Sequence, residues 1–537
     1  MWMTDDTPFN DTNDVADSFG EQNLLHSRHG IRPVSHHLPG YCYHRVRIEQ
    51  VITVVSMKGR PYMTVQQREL HIVQSQVVLG DPHVNTDNRD RLSVRFAVYD
   101  ALVRRDESGA FVPRLATAWS CLADARTWTL RLREDVVFHD GKRMTAADVV
   151  ATLERVSDPD MRGEMATQGV FAVYLAGASF TAVSEHVVEI VTAEPLADLL
   201  DLLVDVPIVR AGFSDDVPNG TGPYRVLSSG GDALLMEAFV EHWNRTPQFP
   251  AIRWRAEPNA ERRATMLLAG NADLVTDLDA SGTQAVGAAA TATVVEAAIS
   301  TCVAFLFNVN KGVCSDRRVR QALNYGADVE RLVADVADGA ASRTNGPLSQ
   351  LAIGYDPGLA PYPFDPERAR ALLAEAGYAD GLKITLDVPE VMPDESRELA
   401  RRLADEWAEL SVLVTVREFA DRLGYAQMVR AKQIDDACCF DSSPLSTFRV
   451  LREKLHSGVA GPWWQGYANP EVDRLIDTAA ATVDDAERQR IYQQVSGIVH
   501  DDAPWLFLYS PRVAFGVGPA LAGTGWRPAL NGLITLD

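Results

Sequence analysis

Between Arg126 and Val156 the chain reads as a strand, a turn and a helix in succession, and that alternation decides what it can fold into. RTWTLRLREDVVF (126–138) sets Trp128, Leu130 and Leu132 against Thr129, Arg131 and Arg133, the period of two expected of a strand with one wet face. HDGK (139–142) is a turn signal. TAAD (145–148) then supplies a capping box, Thr145 with Asp148, and Val149, Val150, Leu153 and Val156 recur on one helical face. From Thr64 onward such strands alternate with amphipathic helices, which makes the chain α/β or α+β.

Other segments repeat the pattern with legible ends. Asp365 caps a helix, Pro366 takes its first position, Ala369, Leu372, Leu373 and Ala376 form its buried stripe, and Gly377 stops it. A helix is predicted through DRRVRQALNYGADVERLVADV (316–336), with Val319, Ala322, Leu323, Gly326, Val329 and Val333 inward. Two more are predicted within 470–505, broken near Val483–Asp485. AIRWRAEPNAERRATMLLAGNADLVTDL (251–278) reads as strand, helix, Gly270 stop and strand.

Residues 1–62 lack both periods, are polar and rich in His and Asn, and are expected to be a disordered extension. His26, His29, His36, His37 and His44 fall there at irregular spacings, with no accompanying thiol or carboxylate cluster of the kind a metal needs. No signal peptide or lipobox is visible; LPGYC (38–42) is preceded by no apolar leader. Met63 stands just before the patterned part, so an over-extended start is one explanation of the whole segment.

Composition narrows the function. Of 537 residues, 73 are acidic and 51 basic, a formal charge of −22 that disfavours nucleic acid and anionic lipid as partners. The six cysteines form no CxxC or CxxH pair, so buried free thiols are expected rather than a zinc site or a disulfide framework. No stretch reaches the roughly 18–20 apolar residues of a membrane span. GxxxxGK[ST], GxSxG, HExxH and a helix-opening GxGxxG are all missing, and no enzyme, cofactor or metal is expected. NGTGPYRV (219–226) is read as a tight turn entering a strand, and FHDG (138–141) as a turn rather than a general base.

The block YDALVRRDESGAFVPRLATAWSCLADARTWTLRLREDVVFHDGKRMTAADVVATLERV (99–156) resembles the solute-binding proteins of peptide and nickel ABC importers, extracellular family 5. DPH (81–83), GTGPYRV (220–226), FNVN (307–310), DRRVRQALNYGAD (316–328), FDPERARALLAEAGY (364–378) and YANPEVDRLID (467–477) are similar pieces in the family's order, spanning roughly 70 to 515. The resemblance implies a two-lobed, periplasmic-binding-protein-like α/β clamp of type II that binds without catalysing. Lobe I is expected at 63–305 plus 513–537, with an inserted subdomain at about 99–190, and lobe II at 306–512. It further implies hinge closure on a small-molecule or peptide solute, delivery to ABC permease subunits, a monomer, contact with the membrane only through the permease, and a periplasmic or extracytoplasmic location. The alternatives are an intracellular solute sensor on the same clamp, though residues 1–62 show no helix-turn-helix or basic stripe, and after it a hydrolase on that scaffold.

In peptide-binding members a carboxylate seven residues before an aromatic pairs with the peptide ammonium, and CCFDSSPLSTF puts Asp441 seven before Phe448. A charge-assisted bond there would equally suit an amine, an opine or a guanidinium. Cys438 stands where the family commonly has Trp, which puts peptide specificity in question, and a turn in a Ser/Pro-rich loop is the other account of Asp441. Cys439 and Phe440 flank it. Trp463, Trp464 and Tyr467 in GPWWQGY have no helical stripe to serve and suit an aromatic cleft wall, or equally a small core beneath a loop. Gln76, five before Asp81, is placed by the resemblance at a first-lobe strand end facing the cleft.

Overall fold

In a computed structural model the described residues are 69–536, apart from 85–87, 162–168, 214–217, 392 and 443–444, together with the backbone of Ser56–Met57 and Arg60–Pro61. The chain divides into the units Met1–Gln66 and Gln67–Asp537. Of the first, the description covers only the antiparallel pair Ser56–Met57 with Arg60–Pro61; the rest of the expected extension, its histidines and Cys42 lie outside the described residues.

Within the second unit, twelve described strands form one mixed sheet. Its first half runs Tyr224–Gly230, Ala233–Ala238, Ala251–Ala256, Leu70–Gln74 and Leu274–Val275. Its second half runs Cys302–Phe307, Ala437–Ser442, Leu382–Pro389 and Val412–Phe419, the last three mutually parallel. The strand Trp505–Val517 joins them: residues 512–517 pair with Thr293–Ala298, whereas 505–509 pair with Cys302–Phe307 and 509–511 with Ala341–Arg343. Its buried residues Leu506, Leu508 and Tyr509 enter the second half's core, and Phe515 and Val517 enter the first's.

The segment first singled out in the sequence builds a separate four-stranded antiparallel sheet, ordered Ala116–Cys121, Thr127–Leu132, Val187–Val191, Ser179–Ser184. Trp128, Leu130 and Leu132 are buried, as the alternation requires. The helix Ala146–Val156 packs Val149, Leu153 and Val156 onto this sheet, and the Asp148 carboxylate accepts from the Thr145 backbone N–H at 2.8 Å and its hydroxyl at 3.1 Å. The Thr145 side chain faces the Asp148 backbone N–H in return, which completes the capping box.

The motifs between these elements are structural joints. Asp140 accepts from Lys142 N–H at 3.0 Å across the turn, with Gly141 at φ +82°. The His139 ring meets the Gly222 carbonyl at 2.9 Å, and burial pulls that imidazole down to about 4, so it is a neutral donor. A Cβ on Gly222 would stand 2.6 Å from the Val98 carbonyl carbon, which is why the turn before the strand Tyr224–Gly230 carries glycine. Gly222→Ala is expected to cost about 1–3 kcal/mol in urea unfolding, because the neighbour that must move is backbone.

Asp81 of the DPH motif pairs with Arg155 at 2.7 Å and accepts from the His83 N–H at 2.8 Å. His83 Nε2 donates to the Pro207 carbonyl at 2.8 Å while Nδ1 faces Arg155 at 2.5 Å. Burial, with Arg155 beside it, lowers this imidazole from 6.5 to about 4. The unfolded chain therefore binds the extra proton first, so stability is complete above pH 6.5 and declines as pH falls toward 4, at up to about 1.4 kcal/mol per pH unit. His83→Gln is expected to make that decline shallower in urea titrations run across this window.

Most predicted helices stand where expected: Ala260–Leu268, Pro366–Glu375, Pro470–Ala480 and Asp485–Asp502. One differs. The segment 316–336 is two helices, Arg317–Tyr325 and Val329–Val336, because Asp328 caps the second by accepting from Arg331 N–H at 3.1 Å. A Cβ at Gly326 would collide with the Leu410 side chain, so the break is also a close packing point.

Candidate functional site

A cavity of about 110 Å³ lies where the two halves of the second unit meet. The first half supplies the helix Arg89–Val98, residues 99–101 and 103–105, Asp201, Val204 and Asp205, and residues 529–531 and 533–536 close one side. Leu445 and Ser446, just beyond the strand Ala437–Ser442, come from the second. The halves touch there directly: the Ser446 hydroxyl donates to Asp201 Oδ2 at 3.2 Å.

Much of the buried charge near the cavity is paired internally. Arg105 pairs with Asp201 and also donates to the Gly109 carbonyl at 3.0 Å; burial lowers its guanidinium to about 10, which leaves it a cation at neutral pH. Arg114 pairs with Asp100 at 2.7 Å, and Trp243 Nε1 and Thr221 Oγ1 donate to the same carboxylate at 2.9 and 3.2 Å. Burial alone would raise Asp100, but Arg114, His242 and Trp243 outweigh it and hold the carboxyl well below its ordinary range. Arg104 and Asp205 are the half-buried charges of the lining, beside Leu92, Phe96, Leu530 and Leu536. The lining contains no histidine or cysteine, and no metal-ligand cluster occurs among the described residues.

None of the seven residues singled out in the sequence lines this cavity. Asp441 stands half-buried at the end of its strand, opposite Val303 and four residues before Leu445. Glu395 is close by: burial raises its carboxyl, the charges of Asp394 and Asp441 add to that, and Tyr509 donates to it at 3.2 Å. A cation would relieve this concentration of negative charge. Phe440 and Trp463 do meet, ring centroids 4.5 Å apart, on the other face of the sheet from Cys439.

Cys439 is fully buried among Leu386, Leu399 and Tyr509, because alternation along the strand turns it into the core; it offers no surface to a solute. Tyr467 is also core, its hydroxyl donating to Asp502 Oδ2 at 2.7 Å, and Trp464 Nε1 donates to the Tyr467 carbonyl at 2.6 Å. These two brace the loop. Gln76 accepts from Arg91 Nε at 3.2 Å at the carboxyl end of the strand Leu70–Gln74. Sequence reading missed Arg104 and Asp205, although Arg104 lay inside the quoted block, and it missed 529–536, which carries no motif.

A two-part sheet whose halves jointly enclose one cavity, with an inserted antiparallel subdomain, defines a solute-binding clamp. The family model for bacterial extracellular solute-binding proteins, family 5 (its middle region), matches residues 110–446, well over half of the chain, and the protein belongs to that family. It is similar to the glutathione-binding protein GsiB of Pectobacterium atrosepticum, 27% identical over 82% of this chain and 88% of that one. Heme-binding protein A of Haemophilus influenzae is 26% identical over 76% and 81% of the two chains. The solved structure of NikA from Brucella suis in complex with Fe(III)-EDTA superposes with a TM-score of 0.75 at 21% identity, covering 87% of this chain and 99% of that one. The protein is thus a solute-binding receptor of the ABC-importer type, and the family is one of binding proteins that deliver solutes to permeases from outside the cytoplasmic membrane. No helix among the described residues is long and apolar enough to cross a membrane.

Proposed function

We propose that the protein works as a periplasmic or otherwise extracytoplasmic monomer that captures a peptide-like or cationic small solute between its lobes and hands it, chemically unaltered, to its own permease. The observation that carries the reading is the cavity with walls from both halves, joined by the Ser446–Asp201 hydrogen bond. Contacts of that kind exist only when the halves are together, so a solute that adds to them shifts the open–closed balance by its differential affinity.

Lobe I is taken as 63–305 with 513–537, its inserted subdomain at about 99–190, and lobe II as 306–512. Supporting these bounds, the strand Trp505–Val517 changes partners near Pro511–Arg512, and Ser300–Thr301 separate strands that pair with its two ends. Asp441, at its strand end outside that cavity, receives the solute's cationic group and Gln76 faces it from lobe I, while the Phe440 and Trp463 rings flank the strand on its other face. The acidic surroundings of Asp441 support that assignment.

Native mass spectrometry of protein purified without denaturation tests the reading. A complex with one retained solute is expected, its mass unchanged after prolonged incubation with the protein. Conversion of the solute to a product would overturn it.

A further inference from the structure

One hydrogen-bond donor in the cavity wall has nothing to donate to. Trp254 borders the cavity and is 0% exposed, and its Nε1 makes no hydrogen bond among the described residues. A buried indole N–H ordinarily finds an acceptor, because leaving the bond unmade forfeits the one it had with water. The strand Ala251–Ala256 that carries the indole pairs with Ala233–Ala238 on one edge and Leu70–Gln74 on the other, so its backbone is fixed.

The core around Trp254 includes Leu70, Val94, Ile252 and Leu274, whose side chains offer no acceptor. The cavity is therefore the space through which an acceptor reaches Nε1. A single water bonded to Nε1 among these side chains falls short of the roughly three polar partners a buried water ordinarily has.

The rest of the lining sets the charge of what can enter. Its charged residues are three arginines, Arg104, Arg105 and Arg114, and three aspartates, Asp100, Asp201 and Asp205, a balance at odds with the chain's 73 acidic and 51 basic residues. Arg105 is matched by Asp201 and Arg114 by Asp100. A net charge brought into this desolvated space would have no counter-charge left over for it, whereas an uncharged group leaves the balance intact. The volume, about 110 Å³, is somewhat below the roughly 150 Å³ that takes benzene, and suits about five or six non-hydrogen atoms.

We propose that the cavity takes an uncharged, largely apolar arm of the solute bearing a carbonyl or ether oxygen, and that Trp254 Nε1 donates to that oxygen. The inference rests on the solute-capture reading and deepens it. Asp441 stands outside the cavity but only four residues from Leu445 in its wall, at most about 14 Å of extended chain, so one solute can place a cationic group at Asp441 and this arm inside. Trp254 is then a specificity determinant, since an arm lacking the oxygen leaves its N–H unpaired.

The test uses the full chain, freed of retained solute, with three ring compounds of equal size: cyclopentanone; methylenecyclopentane, in which a methylene replaces the oxygen; and cyclopentylammonium. Calorimetry reads affinity, and the indole N–H proton resonances read the site, the resonance missing from Trp254→Phe being that of Trp254. Cyclopentanone is expected to bind and move this resonance downfield, methylenecyclopentane to leave it in place, and cyclopentylammonium not to bind. Trp254→Phe weakens cyclopentanone about fivefold, the worth of one neutral hydrogen bond, and Leu530→Trp, which fills the cavity, abolishes its binding. No binding of cyclopentanone, an unmoved Trp254 resonance at saturation, an equal shift with methylenecyclopentane, equal binding of cyclopentylammonium, or wild-type affinity in Trp254→Phe overturns the subsite. A chain that contracts around its own solute but fails this test keeps the receptor function and loses only the subsite, whereas one that passes it and converts its solute to a product loses the receptor reading instead.

Discussion

Asp198→Ala is expected to lower the unfolding free energy by about 3 kcal/mol, the low end of what breaking one side of a buried ion pair costs. Asp198 precedes the short helix Leu199–Leu203 of the first half, and its side chain is 3% exposed. It accepts from Arg488 Nε at 3.2 Å and from the Tyr492 hydroxyl at 2.6 Å, both on the helix Asp485–Asp502 of the second half. Truncation leaves a guanidinium with 5% side-chain exposure short of its buried counter-charge. Arg488 retains the carbonyls of Thr482 and Val483 and the exposed Asp485 carboxylate, which keeps the loss from being larger. Asp198→Asn preserves an acceptor and is expected to lose less. Urea unfolding at neutral pH measures both; a loss below about 0.5 kcal/mol for the alanine variant, typical of a surface site, would contradict the buried bridge.

Asp441→Ala is expected to weaken binding of a solute with a cationic group by about 2–5 kcal/mol, as when one partner of a desolvated charge pair is removed. The residue pairs with Val303 near the end of a strand whose first two residues also pair with Leu382–Pro389, so the sheet holds the backbone that carries it. Glu395 nearby has its carboxyl raised by burial and by the negative charges of Asp394 and Asp441. A cation docking there favours the ionised form of Glu395, so binding releases protons and strengthens as pH rises through that group's range. Calorimetry with the recovered solute in two buffers of different ionisation enthalpy reads affinity and proton release together. Unchanged affinity in the alanine variant would remove Asp441 from the site.

What could be read without coordinates was local. The strand around Leu130, the Thr145–Asp148 box and the Asp365–Pro366 helix start are set by residues within one or two turns of each other, and all three stand as the pattern requires. Where a local signal was outweighed by a longer run, as at Gly326 and Asp328, the inward-facing spacing continued across a break that the cap and Leu410 impose. The family and its fold were legible because the 99–156 block and the pieces after it keep their residues and their order. The cavity was not, since its walls come from segments as far apart as Leu92, Asp201, Ser446 and Leu536, joined only by the sheet's crossovers. Cys439 shows the limit at one position: proximity in sequence to Asp441 said nothing of which face of the strand it would take.

The central claim is that two halves close on a solute, and small-angle X-ray scattering of the same preparation before and after solute is restored reads this directly. Protein stripped by reversible unfolding is expected to have the larger radius of gyration, and to contract when the small molecules released from it are added back. Superimposable scattering profiles at a solute concentration that calorimetry shows to be saturating would contradict the account.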